Sequence, residues 1–157
     1  MEILFVGLII LTASLIPTTI KTEITIRTDR DKIMKNLKGF ELYDEWNPFI
    51  VHINGKPEIG ETLHVTIKTD KKKTILFNPT VLHSDKNGFC WRGSIGMRFI
   101  FDGTHCFKVK KIDSDNIVFL HSETFQGILV WPMIYAVKQT KQNFEKMNKA
   151  LKQRVEL

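Results

Sequence analysis

The chain has 157 residues, 11 of them phenylalanine, and a formal net charge of +6. This length suits one domain with a sizeable core, and the phenylalanines suit a large apolar interior or a cavity. The basic residues are scattered along the chain, so we expect an ordinary solvated surface first, attraction to a membrane surface second, and no binding of nucleic acid.

Residues 3–20 carry no charge. In helical form they would span about 27 Å, close to the hydrocarbon thickness of a bilayer. We expect an uncleaved membrane anchor, with a signal peptide or a buried core element as the alternatives. Basic side chains follow the segment and none precedes it, which predicts that the domain faces the cytoplasm; cleavage would instead give a secreted protein. The predicted division is an apolar segment over 1–20 and a domain over 21–157.

The first part of the domain combines one strand with two short helices. Residues 21–28 alternate between polar and apolar, as in a half-buried strand. Asp29 or Asp31 can cap a short helix that runs through Leu37. A second short helix covers residues 41–46, and the Asn47-Pro48 turn ends it.

The middle of the chain reads as antiparallel strands separated by turn residues. Pro79 implies an edge position or a bend, because proline cannot donate a ladder hydrogen bond. The lysines at 71–73 are interpreted as a solvated hairpin tip rather than a phosphate site. The predicted strands cover 49–53, 61–69, 74–78, 80–84, 88–95, 103–112 and 116–125.

The last segment changes to helical period and predicts one long amphipathic helix from near Pro132 almost to the terminus. Its apolar stripe comprises Val137, Thr140, Phe144, Met147, Leu151 and Val155, with lysines opposite. The element order predicts an α+β fold in which a curved antiparallel sheet of about seven strands wraps on this helix. A single helix covers such a face incompletely, so a hollow is expected between them.

Candidate chemistry is sparse. The sequence has no Gly-rich phosphate loop, no GxSxG and no HExxH, and we predict neither a metal nor a cofactor. Strand alternation places His105 with Phe107 on one face of its strand and His121 with Glu123 on one face of the last strand. If these faces are the inner ones, the group could perform acid–base work in an apolar hollow. The alternative is a hydrogen-bonded polar contact that fixes strand register.

Cys90 and Cys106 are too few for a disulfide framework and lack a zinc spacing. Alternation directs both to the outer face. A reduced, non-catalytic pair is expected.

Six motifs follow one another in a consistent order from about Lys21 to Glu156: YDEWNPFI, GETLHVTI, GFCWRGSI, DGTHCFKV, HSETFQGIL and NFEKMNKALKQRVE. In this order they resemble the SRPBCC superfamily of START domains, the birch pollen allergen and polyketide cyclase/dehydrase-like proteins. The resemblance implies a helix-grip fold around an apolar cavity that binds lipids, sterols, quinones, polyketides or plant hormones, with only a minority of members being enzymes. Trp46, Pro48, Trp91, His105, Glu123 and Gly127 match positions of the nearest branch, which offers no catalytic set to carry over.

We therefore expect a monomeric, membrane-tethered module that binds a hydrophobic small molecule or lipid without turnover. The alternatives are a cyclase- or hydrolase-like enzyme using His105 and Glu123, and an assembly factor whose cavity is vestigial. Trp46 is expected to seal the core rather than to touch a ligand. The predicted cavity residues are Trp46, Phe49, Val65, Trp91, His105, Phe107, Glu123, Val137, Phe144 and Met147.

Overall fold

The computed structural model describes residues 16–69 and 73–157. The predictions for most of the apolar segment and for the hairpin tip lie outside these residues. Three helices are described: α1 (Arg30–Lys38), α2 (Tyr43–Trp46) and α3 (Ile134–Glu156), with a 3₁₀ turn at Phe40–Leu42. The strands are β1 (Thr18–Arg27), β2 (Ile50–Asn54), β3 (His64–Lys68), β4 (Thr74–Phe77), β5 (Thr80–Ser84), β6 (Gly88–Ser94), β7 (Asp102–Lys111) and β8 (Asn116–Gln126).

The predicted helix-grip arrangement is confirmed. An antiparallel sheet in the order β1-β8-β7-β6-β5 lies beside a second antiparallel sheet in the order β2-β3-β4. The two sheets meet where Pro79 separates β4 from β5, and the bridge between Thr62 and Thr80 joins them. Because proline has no N–H, it interrupts the ladder here, which explains why one predicted sheet is observed as two.

Helix α3 lies across this curved surface and buries the predicted stripe. Val137, Phe144 and Met147 are each at most 1% exposed. Phe144 and Met147, with Leu151 and Val155, belong to one core cluster with apolar residues of β1, β7 and β8. Val137 packs in a second cluster with Phe101, Phe125 and Val130. Asn148, which the sequence analysis did not select, is also buried on this face.

The corner at residues 43–50 is fixed by hydrogen bonds as well as by apolar contacts. The Oδ1 of Asn47 accepts from the backbone N–H of Phe49 and of Ile50, at 3.0 and 2.9 Å. Tyr43 donates its hydroxyl to the carbonyl of Leu37 at 2.7 Å. Trp46 packs edge-on against Tyr43, with 5.1 Å between ring centroids. The Asn-Pro turn thus joins the short helices to β2.

Cys90 and Cys106 form a disulfide, so the expectation of a reduced pair is wrong. The two residues are direct partners in the β6–β7 register, with 4.2 Å between their Cα atoms. Alternation within each strand predicts that both cysteines lie on the same face of the sheet, but it does not predict that they stand opposite each other. Opposed cysteines on adjacent strands lie within the Cβ separation that a disulfide needs.

Candidate functional site

A partly open cavity of about 440 Å³ lies between the two sheets and the first half of α3. Its lining is mainly apolar and rich in aromatic rings, as in ligand sites of this size. The lining residues are Phe49, Ile67, Thr69, Ile75 and Phe77 from the small sheet side; Gly93, Ser94, Ile95, Phe101, Gly103, Glu123 and Phe125 from the large sheet side; and Met133, Tyr135, Ala136, Val137, Gln139, Thr140 and Asn143 from the helix side.

Two facing glycines leave room for this cavity. Gly93 of β6 and Gly103 of β7 are direct partners in the register, and both line the cavity floor. A Cβ on Gly93 would lie 2.9 Å from the Phe77 ring, and one on Gly103 would lie 2.5 Å from Oε1 of Glu123. Side chains at these positions would therefore collide with groups that now occupy the space above the sheet.

Glu123 is the one acidic or basic side chain among the described lining residues. It is 17% exposed, and its Oε2 lies 3.7 Å from Nδ1 of His105, its direct partner across β7 and β8. Burial raises the pKa of Glu123 to about 8. The carboxyl group is therefore mainly neutral at pH 7.

A chain of buried polar groups continues behind Glu123 toward α3. The Nε2 atoms of His105 and His121 lie 2.9 Å apart, and Nδ1 of His121 lies 2.9 Å from Oδ1 of Asn148. Asn148 donates from Nδ2 to the Thr22 hydroxyl at 2.9 Å. The chain thus connects β7, β8, α3 and β1 through the core.

Both histidines of this hydrogen-bonded series, His105 and His121, are neutral. Burial lowers the pKa of His105 to about 3. Burial and the neighbouring His105 lower the pKa of His121 well below its ordinary value, although the Asn148 hydrogen bond acts in the opposite direction. The His121 ring stacks on Phe144 with 3.6 Å between centroids, and Trp91 stacks on His105 at 4.6 Å.

The structure divides the ten predicted cavity residues into two groups. Phe49, Glu123 and Val137 line the cavity. Seven others lie in the packed core outside the lining, where aromatic rings fill the remaining space between sheet and helix: Trp46, Val65, Trp91, His105, Phe107, Phe144 and Met147. His105 still contacts Glu123, whereas Trp46 packs on the core rather than on the cavity, in accord with a sealing role.

Sequence reasoning missed the glycine pair and Asn148. Gly93 lies two residues after Trp91 and Gly103 lies two residues before His105, so alternation already put each glycine on the face of its inward-facing neighbour. Asn148 follows Phe144 by four residues and so falls on the apolar stripe. A polar residue on such a stripe signals a buried partner, and here that partner is His121.

The β6–β7 and β8–α3 connections, which contribute Ile95, Phe101 and Met133 to the cavity lining, also carry exposed apolar side chains. The β6–β7 connection presents Met97 and Phe99, 72% and 69% exposed, and the β8–α3 connection presents Trp131, 57% exposed. Backbone hydrogen bonds from Ile128 and Leu129 to residues 99 and 100 join the two connections. Asp102 accepts from the Phe99 backbone N–H at 3.2 Å. We call residues 95–101 and 127–135 the apolar rim.

Solved structures share this fold. A START superfamily protein from Mycobacterium smegmatis matches 88% of this chain and 97% of its own, with 18% identity and a TM-score of 0.71. Norcoclaurine synthase from Thalictrum flavum, in complex with dopamine and hydroxybenzaldehyde, matches 91% and 88%, with 12% identity and a TM-score of 0.68. The present chain shares the helix-grip fold with both of these proteins.

The di-domain ARO/CYC BexL of the BE-7585A biosynthetic pathway matches 96% of this chain, with 8% identity and a TM-score of 0.71. This chain spans 53% of that protein, about half its length. No family model matches the sequence, and no curated protein matches it.

None of the helices among residues 16–69 and 73–157 is long and apolar enough to cross a membrane. The same residues include no group of three or more His, Cys, Asp or Glu side chains that could hold a metal ion.

We predict that Glu123→Gln stabilises the protein more at pH 8.5 than at pH 5. The ordinary pKa is 4.5 and the native one about 8, so between these values the folded protein holds a proton that the unfolded chain has released. Wild-type stability due to this group therefore falls as pH rises through that window. Urea unfolding should show a relative gain of about 4 kcal/mol for the variant between pH 5 and pH 8.5.

The matched control for this comparison is Glu23→Gln, on the exposed face of β1. It should behave as wild type at both pH values. An equal effect of Glu123→Gln at pH 5 and pH 8.5 would show that Glu123 is ionised in the folded protein throughout.

Proposed function

We propose that the protein binds a hydrophobic small molecule or lipid in the cavity, without turnover. The observation that carries this proposal is a mainly apolar cavity of about 440 Å³ whose described lining contains one acidic or basic side chain. Such cavities bury most of a ligand's surface and use few polar groups to orient it. A ligand with aromatic rings fits a wall that includes Phe49, Phe77, Phe101 and Phe125. The complex of norcoclaurine synthase with two small aromatic molecules supports the same class.

Filling the cavity should abolish this binding. Thr140→Trp adds a large ring at a half-buried position on the cavity wall, whereas Thr25→Trp makes the same change on the exposed face of β1. Native mass spectrometry of a chain starting at Ile16, which keeps β1 complete, should find a co-purified apolar ligand on wild type and on Thr25→Trp. Thr140→Trp should lack it. Equal occupancy of all three proteins would place the ligand outside the cavity.

We further propose that the apolar N-terminal segment tethers the domain with its cavity mouth toward a bilayer. Thr18 pairs with Phe125 in the β1–β8 register, so the chain enters β1 at the end of the sheet where β8 leads into the apolar rim. Exposed apolar clusters of this kind are typical of contact with a membrane or a partner. Lysines on the outer face of α3 could add about 1 kcal/mol each toward anionic lipid.

Full-length protein should stay with membranes through a carbonate wash, and release into the soluble fraction would refute the tether.

The apolar rim is tested separately, in the chain starting at Ile16. Replacing Met97, Phe99 and Trp131 with Ser should lower co-sedimentation with anionic phosphatidylserine vesicles more than tenfold. The control replaces Ile112 and Leu157, two exposed apolar residues at the opposite end, with Ser. Equal losses in both proteins would remove any special role of the rim.

The side of the membrane is a separate proposal. The charge distribution after residue 20 favours the cytoplasm, whereas the Cys90–Cys106 disulfide supports export, because disulfides persist in oxidising compartments. We favour export of the domain. Alkylation of the same membranes without reductant should leave both cysteines unmodified, and labelling of either cysteine would contradict export.

An enzyme of cyclase- or hydrolase-like type is the alternative function. The observation in its favour is the 3.7 Å contact between Glu123 and His105 at the cavity wall, where a neutral carboxyl could act as a general acid. The di-domain ARO/CYC protein with this fold makes the class reasonable.

If the protein is an enzyme, Glu123→Gln should reduce turnover by at least a hundredfold, because the amide cannot release a proton. The assay is mass spectrometry of the ligand recovered from wild type, incubated with the variant and with Glu23→Gln as control. Recovery of the same unchanged molecule from every protein would support binding without turnover.

A further inference from the structure

The direction of the buried hydrogen-bond chain determines whether the His105 nitrogen that faces Glu123 carries a proton. The Thr22 hydroxyl donates to the carbonyl of His121 at 3.4 Å, so its oxygen accepts from Nδ2 of Asn148. Oδ1 of Asn148 then faces Nδ1 of His121, and this nitrogen must be the donor. A neutral His121 consequently has its lone pair on Nε2.

His105 must match this arrangement. Its Nε2 lies 2.9 Å from Nε2 of His121 and therefore carries the proton that is donated there. The lone pair of a neutral His105 is then on Nδ1, which points at the Glu123 carboxyl group. A carboxylate facing a lone pair is repelled, whereas a carboxylic acid is not. The geometry of the chain thus favours the neutral acid.

The acid proton has no good acceptor within the protein. The distance of 3.7 Å from Oε2 to His105 Nδ1 is too long for a hydrogen bond, and within the part of the chain that the structure describes the carboxyl group makes none. A partly buried O–H group in an apolar cavity is stabilised when a ligand supplies a hydrogen-bond acceptor. Gly103 lets the carboxyl group rest directly on β7, since a Cβ would lie 2.5 Å from Oε1.

We propose that neutral Glu123 is the recognition group of the cavity and donates a hydrogen bond to a carbonyl oxygen of an otherwise apolar, uncharged ligand. This inference rests on the proposed binding function and adds the chemical class of its ligand. Ligand anions are disfavoured, because no lysine, arginine or histidine is among the described lining residues. Ketones, esters and aldehydes of apolar character are the expected class.

Ionisation of Glu123 should abolish this recognition. From β7 the carboxyl group is faced by His105, with His121 of β8 next in the chain. The partner on β1 is Ile20, and α3 contributes only uncharged side chains to the described lining, Tyr135 being an exposed one at the mouth. Since both histidines stay neutral, the carbonyl contact should be lost as pH rises through the pKa of Glu123, about 8.

The test uses the full-length protein and two probes that share a ring system and nearly the same size, 2-acetylnaphthalene and 2-ethylnaphthalene. The quantity measured is the ratio of their affinities, by fluorescence titration at pH 6.5 and 9.5. Because intrinsic hydrophobicity contributes equally in every variant, only changes in this ratio report the hydrogen bond.

At pH 6.5 the preference for the ketone should fall about tenfold in Glu123→Met, while Glu123→Gln, which keeps an N–H donor, should retain most of it. At pH 9.5 the wild-type ratio should fall by a similar factor and that of Glu123→Gln should not. Gly103→Ala, which displaces the carboxyl group, should resemble Glu123→Met.

An equal ratio in wild type and Glu123→Met, or a wild-type ratio unchanged with pH, would overturn the assignment of Glu123 while leaving the binding function standing. Failure of both probes to bind any variant would overturn the binding function as well. Tighter binding of 2-naphthoate than of the ketone would contradict the uncharged ligand class.

Discussion

The contact between His121 and the long helix is the interaction on which the rest of the architecture depends. The imidazole stacks on Phe144, and its Nδ1 is hydrogen-bonded to Asn148, so one β8 residue fixes both the depth and the rotation of α3. The stack orients the same helix whose first half forms one cavity wall. With α3 fixed at its middle, the space on one side is filled by Phe107, Phe119 and Trp91, and the space on the other remains open.

The division into a packed half and an open half follows from side-chain size along the sheet. On β6 the inward residues run from Phe89 through Trp91 to Gly93, and on β7 they run from Val109 back through His105 to Gly103. The large rings belong to the core cluster that includes Phe144, Met147 and Leu151 of α3, and the glycines line the cavity together with the first half of α3. The sheet thus carries large side chains where they fill the core, and glycines where a ligand could lie. Glu123 stands at the boundary, in contact with His105 on the packed side.

Much of this arrangement was predictable because alternation and helical period are properties of single segments. Alternation put His105 with Phe107 and His121 with Glu123 on common faces, without deciding that the face of His121 is the inner one. Helical period gave the buried stripe of α3. Relations between segments were harder. The Cys90–Cys106 register depends on the β6–β7 turn, and the seven predicted cavity residues that lie in the core could not be separated from the lining without knowing the helix depth. Asn148 was missed because a lone amide in an apolar stripe reveals its role only when its partner on β8 is known.

The glycine pair on the cavity floor also affects how the protein responds to compression. The residues around this partly open space of about 440 Å³ pack less closely on one another than the residues of the ring-filled core, and pressure favours states in which poorly packed space is lost. Hydrostatic pressure should therefore act on this end of the molecule before it acts on the ring-filled end. A bound ligand would fill this space and restore close packing, so the liganded protein should resist pressure better than the free protein.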